Sequence, residues 1–158
     1  MTTITLKGII DEDFVNYRVP SMTLMFPHCS FKCGFDLCQN SSLESSEVIE
    51  IDVDKLCERY INNPISEAVV CQGLEPFDSF RDLITFVSRL RIMHNNNDDI
   101  VIYTGYNEDE IREKVNKLAD YKNIVLKYGR FIPNRDNHFD NVLGVYLASP
   151  NQYAKRIS

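Results

Sequence analysis

The sequence predicts an α/β fold with a mostly parallel sheet of about five to six strands and helices packed on its outside. Short, continuously apolar runs recur along the 158-residue chain, and stretches with helical spacing of apolar residues separate them. Strands that are apolar throughout are buried on both faces, which is typical of parallel sheets. Crossover helices then return the chain to the same end of the sheet. We expect residues 1–158 to form one domain of ordinary size.

Five apolar runs are the predicted strands of this sheet. Each is short, and a polar or glycine-containing segment follows it. Residues 39–50, rich in Ser and Glu, are predicted to form a loop. The predicted strands cover residues 22–26, 68–71, 100–103, 123–127 and 142–147.

Three amphipathic patterns predict the helices between the strands. Asp52 is a good N-cap for the first helix, and Asn62 should end it. Ser79 opens the second helix with Asp82 as its capping partner, and Asn107 can cap the third. The apolar stripes are Val53, Leu56, Cys57, Tyr60 and Ile61 in the first helix, Phe80, Leu83, Ile84, Val87 and Leu90 in the second, and Ile111, Val115 and Leu118 in the third.

The composition argues against several classes of function. The formal net charge is -6 and the pI is near 5.0, and the 17 Lys and Arg residues are scattered, so a nucleic-acid partner is not expected. Residues 1–10 lack the apolar core of a signal peptide. No stretch approaches the roughly eighteen apolar residues that a membrane span needs. We therefore expect a cytoplasmic protein without a membrane partner.

The five cysteines fall into two groups. Cys57 and Cys71 lie in apolar stretches and are predicted to be buried packing residues. Cys29, Cys33 and Cys38 stand within ten residues of one another, directly after the first predicted strand, which indicates a metal centre. Three thiolates suit an iron-sulfur cluster that keeps one iron open to a substrate. With His28 or an outside group as the fourth ligand, they could instead bind structural zinc.

Distinctive residues follow every predicted strand. Because α/β folds bind their ligands at the carboxyl ends of the strands, we expect these segments to share one rim of the sheet. The segments are the cysteine loop, Gly73-Leu74-Glu75-Pro76, Thr104-Gly105-Tyr106, Tyr128-Gly129-Arg130-Phe131 and Ala148-Ser149-Pro150-Asn151-Gln152.

These motifs resemble the radical S-adenosylmethionine (SAM) superfamily, most closely the small activating proteins of anaerobic ribonucleotide reductase. That family has a Cys-x3-Cys-x2-Cys loop, a Gly-Gly-Glu-Pro-like turn, a Thr-Gly-Tyr motif and a Gly-Ser-x-Asn-Gln segment in the same order. The resemblance runs nearly from end to end and implies a partial, open β/α barrel. Three features depart from it: four residues instead of two separate Cys33 from Cys38, Leu74 replaces a glycine, and Tyr128-Gly129-Arg130-Phe131 replaces Asp-Gly-Pro-Phe.

The resemblance implies a role for each motif. Cys29, Cys33 and Cys38 would hold three irons of a [4Fe-4S] cluster, and its fourth iron would bind SAM. No catalytic residue is implied beyond these ligands. Asn151 and Gln152 match the C-terminal motif. Arg130 is expected on the surface. The implied SAM-binding residues are Leu37 against the adenine, Gly73, Leu74 and Glu75 at the methionine ammonium, chiefly through their backbone, and Thr104, Gly105 and Tyr106 beside the ligand.

The function that the resemblance implies is reductive cleavage of SAM to a 5'-deoxyadenosyl radical, which generates a glycyl radical on anaerobic ribonucleoside-triphosphate reductase. Such an enzyme also needs a reducing electron donor. One alternative keeps this chemistry and changes the target to another glycyl-radical enzyme or a small molecule. The short chain favours a protein target, because little sequence remains to build a lid. A second alternative is a noncatalytic zinc-binding module.

Overall fold

The computed structural model describes residues 1–28 and 47–158. The strands in these two ranges are short, with three to six residues each. They are β1 (Thr3–Leu6), β2 (Gly8–Asp13), β3 (Ser21–Phe26), β4 (Ile49–Asp52), β5 (Ala68–Gly73), β6 (Ile100–Tyr103), β7 (Ile124–Tyr128), β8 (His138–Asp140), β9 (Val145–Leu147) and β10 (Tyr153–Arg156).

The α-helices in the described ranges are α1 (Val53–Ile61), α2 (Phe80–Ser88) and α3 (Arg112–Leu118). Short 3-10 turns, Pro76–Ser79 and Glu108–Glu110, precede α2 and α3, and a π-helical turn, Arg89–Met93, extends α2. Within the part of the chain that the structure describes, no helix has the length and apolar character needed to cross a membrane.

Six strands form one mixed sheet in the order β10, β7, β6, β5, β3, β2. The four central strands run parallel, with Thr23 opposite Val70 and Val101 opposite Val125. The edge strands β2 and β10 are antiparallel to their neighbours. The sheet is open and mostly parallel, and its helices alternate with the central strands. The predicted fold class is therefore confirmed, including the open form of a partial barrel.

The helices pack on one face of this sheet. Alternate strand residues such as Leu24, Cys71 and Leu126 are fully buried there against apolar residues of α1, α2 and α3. A separate two-stranded sheet, in which β1 pairs with β4, contributes to the same core. Cys57 and Cys71 are both buried in it, as predicted. Burial raises the pKa of the Cys57 thiol to about 12, so this residue stays neutral and acts as packing.

A β-hairpin covers the opposite, inner face of the sheet. Among the strands of the described ranges, β8 and β9 pair only with each other, and Leu143 and Leu147 pack on Val70, Val101 and Val125. The prediction of a strand over residues 142–147 in the main sheet is therefore wrong. The Asp140 carboxylate accepts hydrogen bonds from the N–H groups of Val142 and Leu143, and this turn leaves only Val145–Leu147 extended.

The helix-capping predictions have mixed outcomes. The Asp52 carboxylate accepts from the N–H groups of Asp54 and Lys55 and begins α1 at Val53, as expected. Ser79 precedes α2 without a side-chain capping bond, so the predicted capping pair is wrong. Asp82 instead accepts the N–H of Thr5 at 3.0 Å and ties α2 to β1. Asn107 begins the 3-10 turn before α3, and α3 itself starts at Arg112.

Five strands, β1, β2, β4, β8 and β10, have no counterpart among the predicted strands. Four are edge or satellite strands whose sequences mix polar and apolar residues, such as Tyr153–Arg156 at one edge of the main sheet. The fifth, Ile49–Asp52, overlaps the end of the segment that was expected to be a loop. Of these strands, β2 and β10 enlarge the main sheet beyond its parallel core.

Candidate functional site

The four parallel strands end at one edge of the sheet, which we call the carboxyl rim. It consists of residues 27–28, 73–76, 104–106 and 128–131. Backbone hydrogen bonds join these segments one after another. Leu74 N donates to Phe26 O at 3.0 Å, Thr104 N to Lys127 O at 2.8 Å, and Gly129 N to Tyr106 O at 3.2 Å. The predicted segments 73–76, 104–106 and 128–131 therefore share one rim with residues 27–28, while the cysteine loop itself lies outside the described residues.

Glu75 links the end of β5 to the loop after β6. Its side chain is buried, with 1% of its surface exposed. One carboxylate oxygen, Oε1, accepts the Gly105 N–H at 2.8 Å, and the other, Oε2, accepts the Thr104 hydroxyl at 2.9 Å. Oε2 also accepts the Phe77 N–H at 2.9 Å and so caps the 3-10 turn. The carboxylate is thus turned into the protein and holds two rim segments together.

The environment of Glu75 changes its acidity. Burial removes the carboxylate from water and raises its pKa to about 7, although its three hydrogen bonds act in the opposite direction. Lys127, also buried, lies near enough for the two charges to attract each other. Burial lowers the pKa of the Lys127 ammonium to about 8. Glu75 at the rim and Lys127 in β7 next to it are thus two buried groups whose pKa values are shifted toward neutral pH.

Gly73 lies at the end of β5, opposite Phe26 of β3 and close to the β3 backbone. Its φ angle is +99°, which non-glycine residues rarely adopt. A Cβ atom at this position would lie 2.4 Å from Phe26 N and 2.7 Å from Met25 Cα. The space that a side chain would fill is occupied by the β3 backbone. The structure thus requires glycine here for strand packing, whatever further role its backbone has toward a ligand. Leu74, which follows, is half-buried.

The Thr104-Gly105-Tyr106 loop has further hydrogen bonds besides those of Thr104 and Gly105 to Glu75 and Lys127. The Thr104 hydroxyl accepts the Tyr106 N–H at 3.1 Å, the Tyr106 hydroxyl donates to Asp78 Oδ1 at 2.6 Å, and Tyr106 O accepts from Gly129. Thr104 is buried, and the other two residues are half-buried. A loop bound this way has little freedom, so its backbone groups keep fixed positions at the rim.

The fifth predicted segment, residues 148–152, reaches the rim by an unexpected route. It follows β9, which lies outside the main sheet, and it precedes β10, whose first residue Tyr153 pairs with Tyr128. Gln152 Nε2 donates to Gly129 O at 3.3 Å, and Asn151 Nδ2 donates to Arg130 O at 2.9 Å. Side-chain hydrogen bonds therefore bring this segment to the end of β7.

Two polar residues of the inner face have no counterpart among the predicted site residues. Lys127 is 6% exposed, and its ammonium donates to Gly129 O at 3.0 Å and lies 5.5 Å from the centre of the Tyr103 ring. The Tyr103 hydroxyl donates to Asn16 O at 2.5 Å. The sequence signal for Lys127 is a single charged residue inside the apolar strand β7, because a buried charge is costly and needs a reason.

The predicted metal ligands Cys29, Cys33 and Cys38, and the predicted adenine contact Leu37, lie outside the described residues. His28, the last residue described before them, is exposed at the rim. Within residues 1–28 and 47–158, no group of three or more His, Cys, Asp or Glu side chains could hold a metal ion.

The fold and the rim define an α/β domain with one composite site built from the loops at the ends of its parallel strands. The sequence model of a family described as a 4Fe-4S single cluster domain matches residues 17–149. The chain belongs to this 4Fe-4S single cluster domain family, and it is a cluster-binding domain of the radical SAM type. A search of curated proteins found no match to the chain.

The described residues fit such a cluster and a bound SAM on two observations. The cysteine segment begins after His28, which is exposed at the rim beyond the end of β3, where Phe26 is opposite Gly73. The N–H groups of Leu74, Gly105 and Tyr106 are all used within the protein. An ammonium group needs acceptors rather than donors, so the engagement of these N–H groups agrees with its binding at the rim.

Proposed function

We propose that this protein is a radical SAM activase that generates a glycyl radical on anaerobic ribonucleoside-triphosphate reductase. The observation that supports it best is the fixed pair of rim segments, 73–76 and 104–106, joined by Glu75 beside the start of the cysteine segment. Membership of a cluster-binding family of the radical SAM type agrees with this chemistry. The segments match the motifs that such activases place around SAM.

In this proposal the thiolates of Cys29, Cys33 and Cys38 hold three irons of a [4Fe-4S] cluster, and SAM binds at the fourth iron. When bound and reduced, the cluster supplies the electron that cleaves SAM to methionine and a 5'-deoxyadenosyl radical. Leu37 would contact the adenine. An external electron donor would be required, because each reductive cleavage of SAM consumes one electron.

The residues of the rim bind and orient SAM. Backbone carbonyl oxygens of residues 73–75 accept hydrogen bonds from its ammonium group, while the Glu75 side chain keeps that turn aligned with Thr104 and Gly105. The hydrophobic side chains of the β8–β9 hairpin cover the inner face of the sheet and keep water away from it. Positioning and exclusion of water are the contributions of the protein itself.

A protein target agrees with the exposed surface of the hairpin. Phe139 and Tyr146 are 51% and 68% exposed, face each other across β8 and β9, and form an edge-to-face pair with ring centres 5.3 Å apart. Exposed aromatic pairs of this kind are common at protein interfaces. Since β9 leads directly into residues 148–152 at the rim, a partner bound over the site can also cover this pair. The partner in this proposal is the glycyl-radical enzyme.

Electron paramagnetic resonance tests the target. The chain is reconstituted anaerobically with iron and sulfide, then mixed with SAM, a strong reductant and anaerobic ribonucleotide reductase. We expect a glycyl radical signal that is absent with the Cys38→Ala variant. A signal seen only with a different glycyl-radical enzyme would identify that enzyme as the target instead. The absence of a signal with any such enzyme would overturn the proposal.

A further inference from the structure

We propose that Gln152 is a positioning residue that holds the Thr104–Tyr106 loop in place by acting through Gly129. This inference rests on the proposed function, because it assigns the loop to SAM. Gln152 itself makes no described contact with residues 104–106, so its effect must pass through the end of β7. The contacts from Gln152 to Gly129 and from Gly129 to Tyr106 form that connection.

Gln152 is buried, with 4% of its surface exposed, and both ends of its amide are used. Its Oε1 accepts the N–H groups of Ala148 at 3.0 Å and Ser149 at 3.2 Å. Its Nε2 donates to Gly129 O at 3.3 Å. The side chain therefore joins the segment after β9 to the segment after β7. Removing it would leave buried N–H groups without a partner, which is costly.

Gly129 transmits this contact to the loop after β6. Its N–H donates to Tyr106 O at 3.2 Å, and its carbonyl accepts both Gln152 Nε2 and the Lys127 ammonium. Its φ angle is +102°, and a Cβ atom would lie 2.9 Å from Asn151 O. The backbone conformation at Gly129 is unusual and depends on hydrogen bonds at both of its ends. Losing the hydrogen bond from Gln152 to Gly129 O thus alters the orientation of the Gly129 N–H, which donates to Tyr106 O.

The loop is consequently held from two sides. Glu75 fixes Thr104 and Gly105 from the β5 side, and Gly129 fixes Tyr106 from the β7 side. The Asn151-Gln152 pair resembles the family's C-terminal motif but has no direct role in the proposed chemistry. Holding the loop explains why a glutamine stands at position 152. Loss of one side should leave the cluster in place but loosen the loop. We expect weaker SAM binding with little change in iron content.

The variants Gln152→Glu and Gln152→Ala test this role. Gln152→Glu keeps the shape and the acceptor for Ala148 and Ser149, but it loses the donor to Gly129 O. The matched control is Asn63→Ala. Asn63 organises a loop at the opposite edge of the sheet, where its Oδ1 accepts Ile65 N at 2.8 Å and its Nδ2 donates to Glu12 Oε1 at 2.9 Å. Both positions lose side-chain hydrogen bonds, but only Gln152 lies at the rim.

Two measurements decide the question. In 5'-deoxyadenosine formation we expect Gln152→Glu to raise the KM for SAM about five- to tenfold, with kcat and iron content nearly unchanged, and Asn63→Ala to leave KM unchanged. In the protein without cluster or SAM, we expect faster hydrogen exchange at the amides of Gly105, Tyr106 and Gly129 in Gln152→Glu than in Asn63→Ala.

The exchange measurement separates this inference from the proposed function. If the wild-type protein cleaves no SAM, the proposed function fails, while protection of these amides still reports whether Gln152 holds the loop. Wild-type exchange in Gln152→Glu would overturn the positioning role, and so would an unchanged KM in a wild-type protein that cleaves SAM. If Gln152→Ala does not fold, Gln152→Glu alone decides.

Discussion

The carboxylate of Glu75 accepts the backbone N–H of Gly105 at 2.8 Å and thereby joins the ends of two neighbouring parallel strands. The same side chain also binds the Thr104 hydroxyl and the Phe77 N–H. A residue expected to act at a ligand mainly through its backbone thus has a second role, which its side chain performs inside the protein. The order of the rim depends on this one buried acid.

The Glu75→Gln substitution tests this dependence. An amide has one accepting oxygen, so its NH₂ group must face at least one N–H donor that the carboxylate now satisfies. We expect the free energy of unfolding to fall by about 1–3 kcal/mol, measured by urea denaturation of the protein without cluster. Thr104→Val, which removes the hydroxyl that donates to Glu75 and accepts the Tyr106 N–H, should cost about 1 kcal/mol. Equal, near-zero effects of both variants would contradict the role of Glu75.

The raised pKa of Glu75 makes stability depend on pH. Its ordinary pKa is 4.5 and its value in the folded protein is about 7, so the folded state binds the proton more tightly. The stability from this proton is fully present below pH 4.5 and is lost as the pH rises to about 7. We expect wild-type stability, measured relative to Glu75→Gln at each pH, to fall over this interval and to level off above it. A rise over the same interval would show that the pKa is not raised.

Gly73 and Gly8 offer a matched pair of glycine substitutions. Gly73→Ala would place Cβ 2.4 Å from the backbone N of Phe26 at a φ of +99°, so we expect a loss of about 3 kcal/mol or more in the free energy of unfolding. Gly8→Ala would meet only the flexible end of Met25, at 2.7 Å from its Cε, and should cost about 1 kcal/mol or less. Similar losses for the two variants in thermal or urea unfolding would contradict the close approach of β5 to β3.

Much of the parallel core could be predicted from the sequence. The strands around Thr23, Val70, Val101 and Val125 are continuous apolar runs, because both faces of the central sheet are covered, and such runs are easy to recognise. The confirmed N-cap at Asp52 depends on local hydrogen bonds to the next turn, which sequence also records well.

The remaining features depend on contacts between distant parts of the chain. β1 pairs with β4, and Asp82 binds Thr5 N rather than capping its own helix, so neither has a local sequence signal. Residues 142–147 have the composition of a strand, but hydrogen bonds from the N–H groups of Val142 and Leu143 to the Asp140 carboxylate hold the first half in a turn. At the site, Gly73, Glu75 and Thr104 could be located from motifs, whereas the direction of the Glu75 side chain and the burial of Lys127 are tertiary properties.

The exposed pair Phe139 and Tyr146 gives a test of partner binding. If the target enzyme covers the hairpin, the double variant Phe139→Ser with Tyr146→Ser should reduce glycyl radical formation at least about tenfold. Its SAM cleavage without the partner should stay unchanged, because both side chains are exposed on the hairpin and pair with each other. Both rates are measured in parallel, as radical yield and as 5'-deoxyadenosine.

The control for this pair is Phe14→Ser with Val15→Ser. These residues are 67% and 74% exposed, and they follow β2, outside the β8–β9 hairpin. We expect wild-type radical formation from this control. An equal loss in both double variants would indicate a general effect of removing exposed apolar side chains, and no loss in the hairpin variant would exclude it as the docking surface.

Reductive cleavage of SAM by the reconstituted protein tests the central claim most directly. The chain is loaded anaerobically with iron and sulfide, its iron content is determined, and 5'-deoxyadenosine is measured after addition of SAM and a strong reductant. We expect a brown protein with about four irons per chain that forms 5'-deoxyadenosine, and loss of both properties in the variant Cys29→Ala with Cys33→Ala and Cys38→Ala. A colourless protein that binds one zinc, takes up no iron and forms no 5'-deoxyadenosine would contradict it.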